Sequence, residues 1–120
     1  GCYTTTFQLT SQEAALPWRI ELGDVRESAR VYINNVYIGC AWAVPFCLDC
    51  KSALRAGANE LRIEVTNLPA NRIAHLDRIG YPWRKFKEIN IVDLNYKKTT
   101  YGHWAPVPSG LNSTVTLVCQ

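Results

Sequence analysis

An all-β fold, an antiparallel β-sandwich or jelly roll, is what this sequence predicts, and three observations predict it. Several short stretches alternate apolar and polar side chains with period two, the pattern of strands that bury one face. Gly, Pro and Asn turns separate these stretches at short intervals. No segment sustains the 3.6-residue period of a helix.

In chain order, Tyr3, Thr5, Phe7 and Leu9 alternate with Thr4, Thr6 and Gln8, and Trp18, Ile20 and Leu22 with Arg19 and Glu21. A hairpin follows. Ala29, Val31 and Ile33 alternate with Arg30 and Tyr32, and Asn34-Asn35 then supplies a two-residue loop, asparagine being the non-glycine residue that best tolerates positive φ. The register this implies sets Ile33 opposite Val36, Val31 opposite Ile38 and Ala29 opposite Cys40 on the core face. Tyr32 then pairs with Tyr37 and Arg30 with Gly39 on the other face, and a slip of one residue would destroy the agreement. Residues 45–54 carry a proline and a short polar run, and Ala56-Gly57-Ala58-Asn59 reads as a turn into the clearest strand of the chain. There Leu61, Ile63 and Val65 point inward, and Glu60, Arg62, Glu64 and Thr66 outward. The expected core is therefore Val31, Ile33, Val36, Ile38, Leu61, Ile63 and Val65. Residues 88–96 are ambiguous, since Ile89 and Ile91 share one parity and Val92, Leu94 and Tyr96 the other, so a strand there needs a bulge. Val115, Leu117 and Cys119 alternate with Thr114, Thr116 and Val118 in the last strand.

At 120 residues the chain fits a single domain, 1–120, burying roughly two thirds of its unfolded surface. Hydrophobic residues make up 48% and charged residues 19%, a globular composition rather than a disordered one. No apolar run approaches the ~20 residues of a membrane span, so no membrane partner is expected. The net charge of +3 is too small to imply nucleic acid. Arg84, Lys85, Lys87, Lys97 and Lys98 do cluster near Trp83 and Tyr96, a mixture that can serve single-stranded nucleic acid. Without a recognised motif a solvated loop is the plainer account, and no nucleic-acid partner is expected. Methionine is absent even at position 1, which points to a fragment or a processed chain, and no signal-peptide pattern gives it an address.

Five cysteines leave at least one without an internal disulfide partner. Cys40 reads as a small core residue. Cys2 and Cys119 fall in the first and last strands, often neighbours in a jelly roll, where a bridge is open to them. Cys47 and Cys50 form a CxxC, which can be half a zinc site or a redox pair. Zinc needs two further ligands and a thioredoxin-like site needs a βαβ context, so structural thiols in a turn are the plainer reading.

The run from Trp18 onward carries a specific resemblance. Leu22-Gly23, the stretch from Val31 to Gly39, Pro45-Phe46 and the stretch from Leu54 to Asn67 resemble the galactose-binding-like jelly-roll domain of glycoside hydrolase family 2 and related bacterial rhamnosidase-type enzymes. In that domain a Leu-Gly strand end precedes VYxNGxxxG, a Pro-aromatic turn and LxxGxNxLxIxVxN. Asn71-Arg72-Ile73, Asp77-Arg78 and Pro108-Ser109-Gly110-Leu111 resemble later parts of it. Asn35 departs from the usual glycine, and the family pattern asks for neither Cys47 nor Cys50. The resemblance implies a non-catalytic carbohydrate-binding module of a bacterial polysaccharide-degrading enzyme, periplasmic or extracellular. Its implied partners are a plant-type glycan or its sugars and the catalytic domain of the parent enzyme.

Residues 68–110 are where specific function is expected, because loops on a rigid sandwich vary freely. They hold Asn71, Arg72, His75, Asp77, Arg78, Tyr81, Trp83, Tyr101, His103 and Trp104. Sugar recognition wants an aromatic ring over the C–H face of a pyranose, with Asn, Asp, Arg or His at its hydroxyls. With Trp42 from the first half, the candidate carbohydrate-binding set is Trp42, Arg72, Asp77, Trp83, His103 and Trp104. Against it stand aromatics that merely plug the sandwich end, and an Arg72–Asp77 ion pair that merely fixes a loop. No carboxylate pair is marked for glycosidase chemistry, which needs two carboxyls about 5 to 10 Å apart. No Ser-His-Asp signature, Gly-rich phosphate loop or convincing metal cluster is present, so neither catalysis nor a cofactor is expected. Two alternatives stand beside sugar binding: a structural accessory sandwich packing on the catalytic domain, and a thiol or zinc protein using the CxxC.

Overall fold

The computed structural model describes residues 1–50, 52–85, 94–95 and 97–120. Its elements are β1 (Cys2–Leu9), α1 (Ser11–Ala14), β2 (Trp18–Glu21), β3 (Val25–Arg26), β4 (Ser28–Ile33), β5 (Val36–Ala41), β6 (Cys47–Asp49), β7 (Gly57–Thr66), α2 (Ala70–Arg78), β8 (Gly110–Leu111) and β9 (Thr116–Cys119). One antiparallel sheet has the order β1-β7-β4-β5, a second β6-β2-β9, and β3 pairs with β8. By its contacts the chain divides into two compact units, Gly1–Leu68 with Pro108–Gln120, and Pro69–Val107. The first unit is an all-β sandwich.

Alternation became burial where it was clearest. Leu61, Ile63 and Val65 of β7 are buried, as are Ala29, Val31 and Ile33 of β4, Ile20 of β2 and Leu22 just after it. Each fully buried aliphatic side chain of this size contributes about 1.5–3 kcal/mol from surface withdrawn from water. The outward face of β7 and β4 is polar, with Arg62 paired to Glu64 and its guanidinium 3.9 Å from the centre of the Tyr32 ring.

The hairpin has the expected turn, φ being 50° at Asn34 and 64° at Asn35. Its register departs from the expectation beyond Tyr32↔Tyr37. A bulge lies between Val31 and Tyr32, so Val31 faces Gly39, Arg30 faces Cys40 and Ala29 faces Ala41. Packing from the second sheet is close at this point: a Cβ on Gly39 would lie 3.1 Å from Leu48 Cδ2, so a larger residue opposite Val31 would require Leu48 to shift. Ile38 stays buried, but Cys40 is only half-buried rather than a core residue. Val36, expected in the core, is 54% exposed, because β5 is the outermost strand and Val36 stands at the hairpin tip.

Two asparagines join the turns. Asn59, 1% exposed, accepts at Oδ1 from Asn34 Nδ2 (2.8 Å) and Arg55 N (2.9 Å), and its Nδ2 donates to the carbonyls of Arg55 and Gly57. A buried amide costs little when its bonds are met in this way. Residues 57–59 therefore belong to β7 rather than to a free turn.

Other differences are local. β6 lies within 45–54, where only a polar run was read, and α2 lies within the region read as loops. The segment 88–96 falls outside the described residues except for Leu94 and Asn95. Cys2 and Cys119 are free thiols, since β1 pairs with β7 and β9 with β2, and no bridge joins them.

Candidate functional site

Unit Pro69–Val107 is built on α2. Its last turn carries Arg78, a cation that suits the negative end of a helix dipole. Asn71, near its start, pins the far end of the unit: Nδ2 donates to Val107 O (2.9 Å) and Oδ1 accepts from Val107 N (2.8 Å).

Asp77 organises the aromatics. Its Oδ2 accepts from Tyr101 N at 2.6 Å, and its Oδ1 accepts from the Trp83 indole N–H. These two donors, the Tyr101 amide foremost, together with the nearby charges of Arg84 and Lys98, hold the Asp77 carboxyl below the ordinary range despite partial desolvation. The Tyr101 ring lies 4.6 Å from Trp104 and 6.1 Å from Trp83, centroid to centroid, in tilted arrangements. Arg84 sets its guanidinium 5.0 Å from the Trp83 ring and 5.2 Å from Tyr101 and donates to Thr99 O. Arg78 donates to Gly102 O at 2.7 Å and to Trp104 O. Trp104 keeps 40% of its surface exposed.

Of the six residues expected from sequence, Asp77, Trp83 and Trp104 meet around Tyr101. Arg72 and His103 are exposed in the same unit. Trp42 is 76% exposed and belongs to the other unit, on the segment after β5. The Arg72–Asp77 ion pair does not form: among the described residues Arg72 meets no carboxylate, and Asp77 accepts instead from the Trp83 and Tyr101 N–H groups. Tyr101, Arg78 and Arg84 were not in the selected set, although they hold it together. Gly102 packs against the end of α2, where a Cβ would make an ordinary 3.4 Å contact with Arg78 Cγ, so its residue type gave no signal of the site.

In the CxxC, Cys50 is fully buried, and desolvation pushes its thiol up to about 11, so Cys50 is not the reactive thiolate of the pair. Among the described residues no three His, Cys, Asp or Glu side chains are grouped to hold a metal. A cleft of about 540 Å³ is lined by Arg19, Ile38, Cys47, Leu48, Asp49 and Gln120. Its polar groups are largely paired already, Arg19 with Glu21 at 2.6 Å and Gln120 with Asp49 at 2.6 Å. Among the described residues no helix is long and apolar enough to cross a membrane.

No family model matches the sequence. A curated protein of Formosa agariphila, described as "Putative beta-glucuronidase", is 34% identical over 73 residues, 59% of this chain and 6% of that protein. Among solved structures, a rhamnosidase from Novosphingobium sp. PP1Y superposes over 97% of the chain with a TM-score of 0.71 and 27% identity, this being 10% of the rhamnosidase chain. An FMN-binding beta-glucuronidase from Facaelibacterium prausnitzii L2-6 covers 98% of the chain and 15% of its own at a TM-score of 0.56 and 21% identity, a likeness of fold. The chain thus spans about a tenth or less of the first of these relatives, and what it shares with them is a sandwich carried within glycoside hydrolases of the rhamnosidase and β-glucuronidase kind.

Proposed function

We propose that this chain is a single galactose-binding-like jelly-roll domain of a secreted bacterial glycoside hydrolase, non-catalytic itself, that contacts carbohydrate through the aromatic group of the second unit. The observation that carries this reading is the cluster of Trp83, Tyr101 and Trp104 fixed on Asp77, with Trp104 left partly exposed for the C–H face of a pyranose. His103 and Arg72 are the exposed polar groups of the set.

A non-catalytic role is supported by the state of the carboxylates. Glu21, Asp24 and Glu64 are ion-paired to arginines, and the Glu13 and Asp77 carboxyls are held below the ordinary range by hydrogen bonds. A glycosidase acid requires a carboxyl displaced upward.

Affinity for a single sugar falls between about 10 μM and 10 mM, because few ligand atoms offset the ordering and desolvation costs. Tethering to a catalytic domain makes such weak binding useful by raising local concentration. Titration of the isotopically labelled chain with mono- and oligosaccharides, followed by NMR, tests it. Shifts centred on Trp83, Tyr101 and Trp104 are expected, and unchanged binding after Trp104→Ala in a folded chain excludes this surface. A second reading, docking on the catalytic domain, is favoured by Trp42 at 76% and Val44 at 83% exposure on one short segment. It predicts no shift with any sugar.

A further inference from the structure

The charge of the chain is unevenly placed. Residues 69–107 contain seven Lys and Arg against three Asp and Glu, whereas the rest of the chain has six against seven, so the overall +3 arises from a unit at +4 and a remainder at −1. The imbalance is sharpest beside the aromatic cluster. Arg84 lies against the rings of Trp83 and Tyr101, Arg78 is bonded to the carbonyls on either side of His103, and Lys98 is close enough to act on the Asp77 carboxylate. Asp77 answers one of these three cations. Its oxygens already accept the Trp83 and Tyr101 N–H groups, which take about half of its lone-pair sites. Among the described residues the surface beside the rings therefore carries more cations than carboxylates.

We infer that the carbohydrate taken here is anionic, a pyranose bearing a carboxylate or a sulfate ester, stacked on Trp104 and Tyr101 with its charge towards Arg84 and Lys98. This rests on the carbohydrate-contacting reading above and narrows it to a class. A neutral sugar would leave the excess positive charge unanswered. An acidic one supplies charged acceptors for Arg84 and Lys98, and charge-assisted hydrogen bonds are the stronger kind. One added opposite charge at a partly exposed site improves affinity about tenfold at low salt.

Galactose, galacturonate and galactose 6-sulfate, with oligomers of each, form a matched series for titration of the 120-residue chain by NMR. The expected result is about tenfold tighter binding of at least one anionic member than of galactose, with shifts at Trp83, Tyr101 and Trp104. Whichever anion wins identifies the group. Raising ionic strength from about 0.01 M to about 0.1 M shortens the screening length from about 30 Å to about 10 Å and is expected to weaken anionic binding several-fold while sparing galactose. Lys98→Gln, a change at an exposed position, narrows the preference for the acidic members over galactose about threefold. Equal affinity across the series, with shifts in the cluster, overturns the charge preference and leaves sugar contact standing. Absence of shifts with every member removes both. Shifts spread beyond residues 69–107, or a single-stranded oligonucleotide bound as tightly as the acidic sugars, overturn the proposal by showing a general polyanion surface.

Discussion

Cys47 and Cys50 share a CxxC spacing but not an environment: Cys47 is half-buried on β6, whereas Cys50 has no exposed surface and donates its backbone N–H to Trp18 O at 2.9 Å. Burial disfavours the thiolate, so the folded chain holds the Cys50 proton up to about 11 against an ordinary 9.0. The unfolded chain releases that proton first, and the stability due to the neutral thiol is complete below about pH 9 and lost as pH rises towards 11. The full displacement of about two units corresponds to about 2 to 3 kcal/mol. Urea unfolding of the wild type and of Cys50→Ala at about pH 8 and pH 10.5 checks this. The wild type is expected to lose more stability between the two, and alkylation at pH 8 should mark Cys2 and Cys119 well before Cys50. Asp77 gives the complementary lesson. Its residue type was legible as a candidate, but its partners stand six and twenty-four positions away, and no periodicity encodes such a meeting.

At the scale of elements, parity in the sequence found the strands wherever a whole face is buried. β7 and β4 lie in the interior of their sheet, so each side chain of one parity meets the second layer. Val36 obeys the same parity yet stands at the outermost strand. Ile63→Ala should therefore cost about 2 to 5 kcal/mol and Val36→Ala less than about 1 kcal/mol, measured as shifts in urea midpoint at constant slope. Equal costs would mean that alternation, not layer position, decides burial. α2 escaped notice because Ile73, Ala74 and Leu76 form a narrow apolar stripe on a nine-residue helix, and only Ala74 is fully buried. β6 escaped because three residues are too few to display a period. The bulge in β5 escaped because the apolar pairs Ile33–Val36 and Val31–Ile38 satisfy the unbulged register equally well.

For the whole molecule, the sandwich and the second unit divide the labour differently from the chain's order. The first unit takes residues from both ends, so its closure depends on β9 returning to β2 after the second unit has been traversed. The catalytic question also belongs at this scale, since hydrolysis requires two carboxyls converging on one bond. The isolated chain is expected to release no chromophore from aryl rhamnosides, glucuronides or galactosides. Turnover that disappears on replacing a single Asp or Glu of this chain would reverse that conclusion. Fold class was legible because the core repeats one rule many times. The candidate site was legible only in its residue types, because each of its contacts is made once.

The bulge opposite Val31 has a consequence for variation in length. Val31 faces Gly39 while Tyr32 faces Tyr37, so Ile38 is the unmatched residue between two correctly facing pairs. Losing it would leave the ladder continuous on both sides, with the deletion costing one buried side chain and no reversal of faces. Within an unbroken ladder such as β4 and β7, a single-residue deletion would turn every side chain beyond it to the wrong layer. Shortening by one residue is thus best tolerated in β5, at the point where the hairpin already carries one more residue than its partner strand can pair.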